Sequence, residues 1–123
     1  MTRYRDVGPG PKGTAMSVTF ELDGQEFRAL NGVPMFKFSP AISFFVKCET
    51  QAEVSHFWER LSEGGTIQQC GWLQDRYGVS WQIVPPVLGD LLADKDPEKA
   101  RRVMQAMLQM KKLNTAGLQE AYR

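Results

Sequence analysis

The chain has 123 residues, 42% hydrophobic and 24% charged, which suits one folded domain with its own core and excludes a disordered segment. Lys and Arg number 15 and Asp and Glu 14, a formal net charge of +1, so no overall field favours nucleic acid or an anionic membrane as partner. No apolar run reaches the roughly 18–20 residues of a membrane span, and the polar, Gly/Pro-rich start is no signal peptide; the expected location is the cytoplasm.

In chain order, Gly8-Pro9-Gly10-Pro11-Lys12-Gly13 reads as a loop, without the spacing or the Lys-Ser/Thr ending of a P-loop. Met16, Val18, Phe20 and Leu22 then alternate with Ser17, Thr19 and Glu21, the pattern of a half-buried strand. Asp23-Gly24 is a two-residue hairpin turn, because a type I′ turn needs two positive φ values. Gln25 to Asn31 returns as the partner strand. That turn fixes the register: Leu22 opposite Gln25, Phe20 opposite Phe27, Val18 opposite Ala29, Met16 opposite Asn31. Asn31 thus falls on the apolar face, where its amide needs nearby backbone, a water or a ligand.

Gly32, Pro34 and Pro40 mark a connection. Ala41 to Cys48 is a strand with Ile42, Phe44 and Val46 on one face and Ala41, Ser43 and Phe45 on the other. Thr50 and Glu53 form a capping box for a helix over 51–63 whose apolar stripe is Val54, Phe57, Trp58 and Leu61, closed by Gly64-Gly65. Strands 66–73 and 79–84 follow, joined by a turn at 74–78 and stopped by Pro85-Pro86. Asp96, Pro97 and Glu98 start an amphipathic helix that carries Met104, Met107 and Lys111. Asn114 or Thr115 opens a short last helix. Arg101, Arg102, Lys111 and Lys112 read as a solvated basic face.

The chemistry available is narrow. His56 is the one histidine, and it sits beside the helix's apolar stripe as a surface residue, so neither a zinc site nor a Ser-His-Asp set can be assembled. Cys48 and Cys70 lack CxxC spacing and read as reduced thiols. No G-x-G-x-x-G follows a predicted strand, which argues against a dinucleotide fold. Ser43 and Gln82 are expected on one sheet face, with Asn31 able to join them; Cys70 and Trp72 share a face of their strand and extend the set. Neutral polar groups beside an aromatic wall suit a small polar ligand better than proton transfer.

The stretches Gly64 to Leu73, Asp75 to Pro85 and Ala100 to Leu113 resemble the PhnB-like family of the vicinal-oxygen-chelate (glyoxalase/bleomycin-resistance) superfamily, whose members are often labelled 3-demethylubiquinone 3-methyltransferase-like. With the hairpin from Gly8 to Gly32, the resemblance covers nearly the whole chain. It implies an α+β fold, a βαβββ-type curled mixed sheet with C-terminal helices. Residues 14–34 would form a partial first module, 41–85 a complete second module and 86–123 a helical extension, all in one domain. Family members begin with a strand and a helix ahead of the segment matching Thr2-Arg3-Tyr4, so the first module is expected to be truncated and completed by a second copy in a homodimer. The superfamily's metal positions fall at Asn31, Ser43 and Gln82, none an ionisable donor, so no cofactor or tightly bound metal is expected. The resulting expectation is a small-molecule-binding protein without established catalysis. The alternatives are a lyase, isomerase or dioxygenase with a weakly held divalent metal, and a non-catalytic dimerising remnant.

Overall fold

The computed structural model describes residues 1–6, 8, 10–32 and 35–123, which divide into two compact units, Met1–Lys37 and Phe38–Arg123. Pro9 and Pro34, read above as loop punctuation, lie outside the described residues.

The first unit is a three-stranded antiparallel sheet in the order β1-β2-β3, from Thr2–Arg3, Ala15–Leu22 and Gln25–Leu30. Its hairpin has the register that the Asp-Gly turn dictates: Leu22 pairs with Gln25, Phe20 with Phe27 and Val18 with Ala29. Asp23 and Gly24 take φ of 50° and 77°, the two left-handed values a type I′ turn requires. The Phe20 and Phe27 rings stack with centroids 5.7 Å apart. Tyr4 is buried against Gly8 and Gly10 of the loop that follows it, and a Cβ on Gly10 would come within 2.2 Å of its ring, so only glycine allows that approach. The Gly8 to Gly13 run does follow a strand, the two-residue β1, contrary to the sequence reading. It leads into strand β2 rather than a helix, so it supplies no helix N-terminus for a phosphate.

The second unit carries a four-stranded sheet in the order β4-β7-β6-β5, from Ser43–Lys47, Ser80–Val84, Trp72–Gln74 and Thr66–Ile67. Strands β4 and β7 are parallel and the other pairs antiparallel, with α1 (Gln51–Ser62) between β4 and β5: the expected βαβββ unit. Val54 and Trp58 of α1 bury against Leu73 and Ile83, with Cys48, Val46 and Trp81 beside them. Burial of each such large side chain stabilises by about 1.5–3 kcal/mol. Phe57, expected in the same stripe, is instead 36% exposed, because the buried stripe narrows to Val54 and Trp58. Thr50 caps the helix by accepting from the Glu53 N–H at 3.1 Å. The Glu53 carboxylate reaches one residue further back than a capping box requires, to the Glu49 N–H.

The single strand expected over 66–73 is two short strands folded on each other, Thr66 opposite Gln74 and Ile67 opposite Leu73. The chain reverses at Cys70 and Gly71, both left-handed, with φ of 60° and 82°. The cause is tertiary. The Cys70 and Gly71 N–H groups donate to the Met110 and Lys111 carbonyls, both at 2.8 Å, and Gly71 in turn accepts from the Ile83 N–H.

After Pro85-Pro86 comes α2 (Val87–Leu92), an element the sequence reading passed over, then α3 (Pro97–Leu108) and α4 (Thr115–Tyr122). Asp96 caps α3 and Asn114 caps α4. Helix α3 stops at Leu108 rather than continuing to Lys111, which frees the 110–111 carbonyls for the reversal at Cys70 and Gly71. Val84, Leu88, Val103, Leu113 and Leu118 form the second core. The expected basic face is only partly solvated. Arg102 donates to the Ala121, Tyr122 and Arg123 carbonyls at the end of α4, and Lys112 donates to Ser55. Among the described residues no helix is long and apolar enough to cross a membrane.

Candidate functional site

Strand pairing sorts the second sheet into two faces. Phe44 with Trp81, Val46 with Ile83, and Leu73 face α1 or its surroundings, and the Phe44 and Trp81 rings lie 5.2 Å apart. On the opposite face, Phe45 of β4, Gln82 of β7 and Trp72 of β6 stand in one row across three adjacent strands. Ser43 and Ser80 form the next row.

That face is the floor of a groove of ≈ 280 Å³, bounded by Phe45, Trp72, Gln82 and Val84. Helix α2 contributes Leu88, Gly89 and Leu92 to its other wall, α3 contributes Met107, and Cys70 sits at the reversal before β6. The turn at Cys70-Gly71 thus sets the position of two groove residues. Cys70 is not on the same strand as Trp72, as the sequence suggested, yet both line the groove.

Gln82 donates through Nε2 to the Ser43 Oγ at 2.9 Å. Its remaining N–H and its carbonyl oxygen carry no further hydrogen bond among the described residues. Ser80 is 1% exposed, and its Oγ has no partner among the described residues, an uncompensated hydroxyl next to Ser43. Asn31 lies at the end of β3 in the first unit, where its N–H donates to Met16 and its side-chain amide donates to the Ala15 carbonyl at 2.9 Å.

Apart from the free Cys70 thiol, the ionisable groups stand away from the groove lining. Cys48 is wholly buried in the first core of the second unit; burial, and secondarily Glu53, push its thiol pKa up, which makes it a poor nucleophile. His56 is exposed, in edge contact with Phe57. The Tyr122 hydroxyl donates to Asp94 at 2.6 Å, which holds the Asp94 carboxyl below and the Tyr122 phenol above their ordinary values. Among the described residues, no three His, Cys, Asp or Glu side chains gather as a metal cluster. Both cysteines are free.

Of the residues that the sequence reading grouped, Cys70, Trp72 and Gln82 line this groove and Ser43 is bonded to Gln82, whereas Asn31 belongs to the Met1–Lys37 unit. The sequence reading missed the α2–α3 wall; the signal was available in Leu88, Leu92 and Met107, whose spacing needed an α2 helix to be recognised.

A family model described as 3-demethylubiquinone-9 3-methyltransferase matches residues 1–84. A solved Bacillus cereus structure, described as a 3-demethylubiquinone-9 3-methyltransferase and PhnB protein, is 38% identical, with a TM-score of 0.62, over 68% of this chain and 74% of that one. The protein PA1353 from Pseudomonas aeruginosa shares the fold at 21% identity, with a TM-score of 0.54, over 68% of this chain and 73% of that one. No curated protein matches the chain.

Proposed function

The chain belongs to the PhnB-type family described as 3-demethylubiquinone-9 3-methyltransferase, and from that premise we propose that it binds a small molecule in the groove between β4, β7, β6 and helices α2 and α3. The observation that carries the reading is the row Phe45, Gln82, Trp72, which brings two aromatic side chains and a half-used amide to one concave lining.

Binding without established catalysis is the form proposed. The groove lining holds no carboxylate, imidazole or amine to move a proton near neutral pH. The methyl transfer in the family's description is left out, because the one Gly-x-Gly-x-x-Gly run opens a strand. No resident metal is included either. Asn31, Ser43 and Gln82 are neutral donors, and the last two are bonded to each other.

We also propose a homodimer in the cytoplasm. Phe36 at 88% and Ile42 at 78% exposure, with Phe20 and Leu22 of the hairpin, are apolar surface suited to a second copy. The two free thiols suit a reducing compartment. A thermal-shift screen of small neutral compounds tests the binding reading. A ligand of the native state raises the melting midpoint, and Gln82→Ala should abolish that shift while the fold survives. Retention of the shift in Gln82→Ala would remove the groove from the account.

A further inference from the structure

We infer that strand β3 pairs antiparallel with β3 of a second copy, about a two-fold axis at Phe27 that sets Glu26 of each copy opposite Arg28 of the other. This rests on the homodimer reading above and assigns its contact to one strand edge and one register.

The sheet order singles out the edge. The outer strands β1 and β5 are two residues long, too short to template another strand, whereas β3 and β4 have six and five residues. The two units share an antiparallel run, β1-β2-β3 in the first and β5-β6-β7 in the second. In the second unit β4 covers the outer edge of β7; among the described residues no strand covers the equivalent edge of β3. Strand β3 contains no proline, and its pairing with β2 runs without a bulge, so two common devices for blunting an edge are missing.

The ladder shows which backbone groups face that edge. The Asn31 N–H donates to the Met16 carbonyl at 2.8 Å, which makes Met16 and Asn31 a hydrogen-bonded pair. Bonded and non-bonded pairs alternate along an antiparallel ladder. Phe27 and Ala29 therefore bond to β2, and the N–H and carbonyl groups of Glu26, Arg28 and Leu30 point outward. The Glu26 carbonyl accepts a long 3.4 Å bond from the neighbouring Gln25 side chain.

Charge then selects the register. Outward residues must meet outward residues, so a two-fold axis can pass at only a few positions. An axis at Glu26 or at Arg28 opposes like charges. An axis at Ala29 sets Arg28 opposite Leu30 and pairs neither charge. The axis at Phe27 pairs Glu26 with Arg28 twice, and Gln25 with Ala29 twice. It also relieves a conflict within the chain: Glu26 lies directly opposite Glu21 across the hairpin, and its ion pair with Arg28 of the same strand is long, at 3.9 Å. The second copy's Arg28 gives Glu26 another guanidinium. Strand β4 offers no such choice, because its one charged residue is Lys47.

The test combines sedimentation velocity of the full chain over a dilution series with amide hydrogen exchange. The wild-type chain is expected to dimerise. Arg28→Glu and Glu26→Arg should each weaken the dimer about 10–100-fold, since two attractive cross-strand pairs become two repulsive ones. The double exchange Glu26→Arg with Arg28→Glu should restore it to within about threefold of wild type. Melting midpoints of these variants exclude misfolding, because both side chains are about 70% exposed. Independently of any variant, the Glu26 and Arg28 N–H groups of the wild-type chain should gain exchange protection as the dimer forms. A dimer that forms without that protection, or that survives either single charge reversal at full strength, overturns the pairing at β3 and leaves the homodimer reading standing. A wild-type chain that stays monomeric throughout overturns both and leaves the edge to a strand of another polypeptide.

Discussion

Gly71→Ala examines the turn that delivers Cys70 and Trp72 to the groove. Gly71 has φ of 82°, and a Cβ there would sit 2.8 Å from the Ile83 carbonyl oxygen and 2.8 Å from a Leu113 methyl. The left-handed backbone alone costs a non-glycine residue about 1–2 kcal/mol. The carbonyl is backbone, and Leu113 is wholly buried, so neither neighbour yields cheaply. Overpacking of this kind adds about 1–3 kcal/mol, for a total of roughly 2–5 kcal/mol. Gly78→Ala is the matched control: its φ is 87° and nothing lies within 4 Å of its Cβ position, so it should lose only the backbone component of about 1–2 kcal/mol. Urea unfolding followed by tryptophan fluorescence suits the comparison, because Trp58, Trp72 and Trp81 all belong to the Phe38–Arg123 unit. If Gly71→Ala is no less stable than Gly78→Ala, the close packing described around the turn is wrong.

Asp75 accepts from the Tyr77 and Val79 N–H groups and from the Trp81 indole, so Asp75→Ala should cost about 1.5–3 kcal/mol, read by denaturant midpoint and a blue- or red-shifted Trp81 emission. Leu113→Ala, in the second core of the same unit, should cost about 2–5 kcal/mol by the same assay. The Asp94–Tyr122 bond links stability to pH at both extremes. The lowered Asp94 pKa contributes stability that is complete above the ordinary carboxylate range and lost as pH falls through its folded value. The raised Tyr122 pKa contributes stability that is complete below the ordinary phenol range and lost as pH rises through its folded value. Tyr122→Phe should flatten both limbs of a melting-midpoint profile; an unchanged profile would discount the bond.

Local chemistry made much of the fold legible. Asp23-Gly24 set the hairpin register because a two-residue turn leaves the strands no freedom to slide. Thr50, Asp96 and Asn114 marked helix starts through their side-chain oxygens. The failures have tertiary causes. Residues 66–73 alternate well enough for one strand, but carbonyls at 110 and 111, some forty residues on, bend them at Cys70 and Gly71. Nothing local signals those bonds. Phe57 shows that periodicity marks a stripe but not its width. At the candidate site, Trp72, Gln82 and Ser43 followed from strand alternation, whereas the groove's second wall depended on α2, hidden behind Pro85-Pro86.

The most direct test of groove binding fills the groove from within. Gly89 lies on α2 against the groove, with open space at its Cβ position and no positive φ. Gly89→Leu should leave the unliganded melting midpoint unchanged or raise it, since glycine is a poor helix former. Its side chain should occupy the space a ligand needs. For any compound that raises the wild-type midpoint, the account expects the Gly89→Leu protein to show no shift; a shift of wild-type size would contradict binding in this groove.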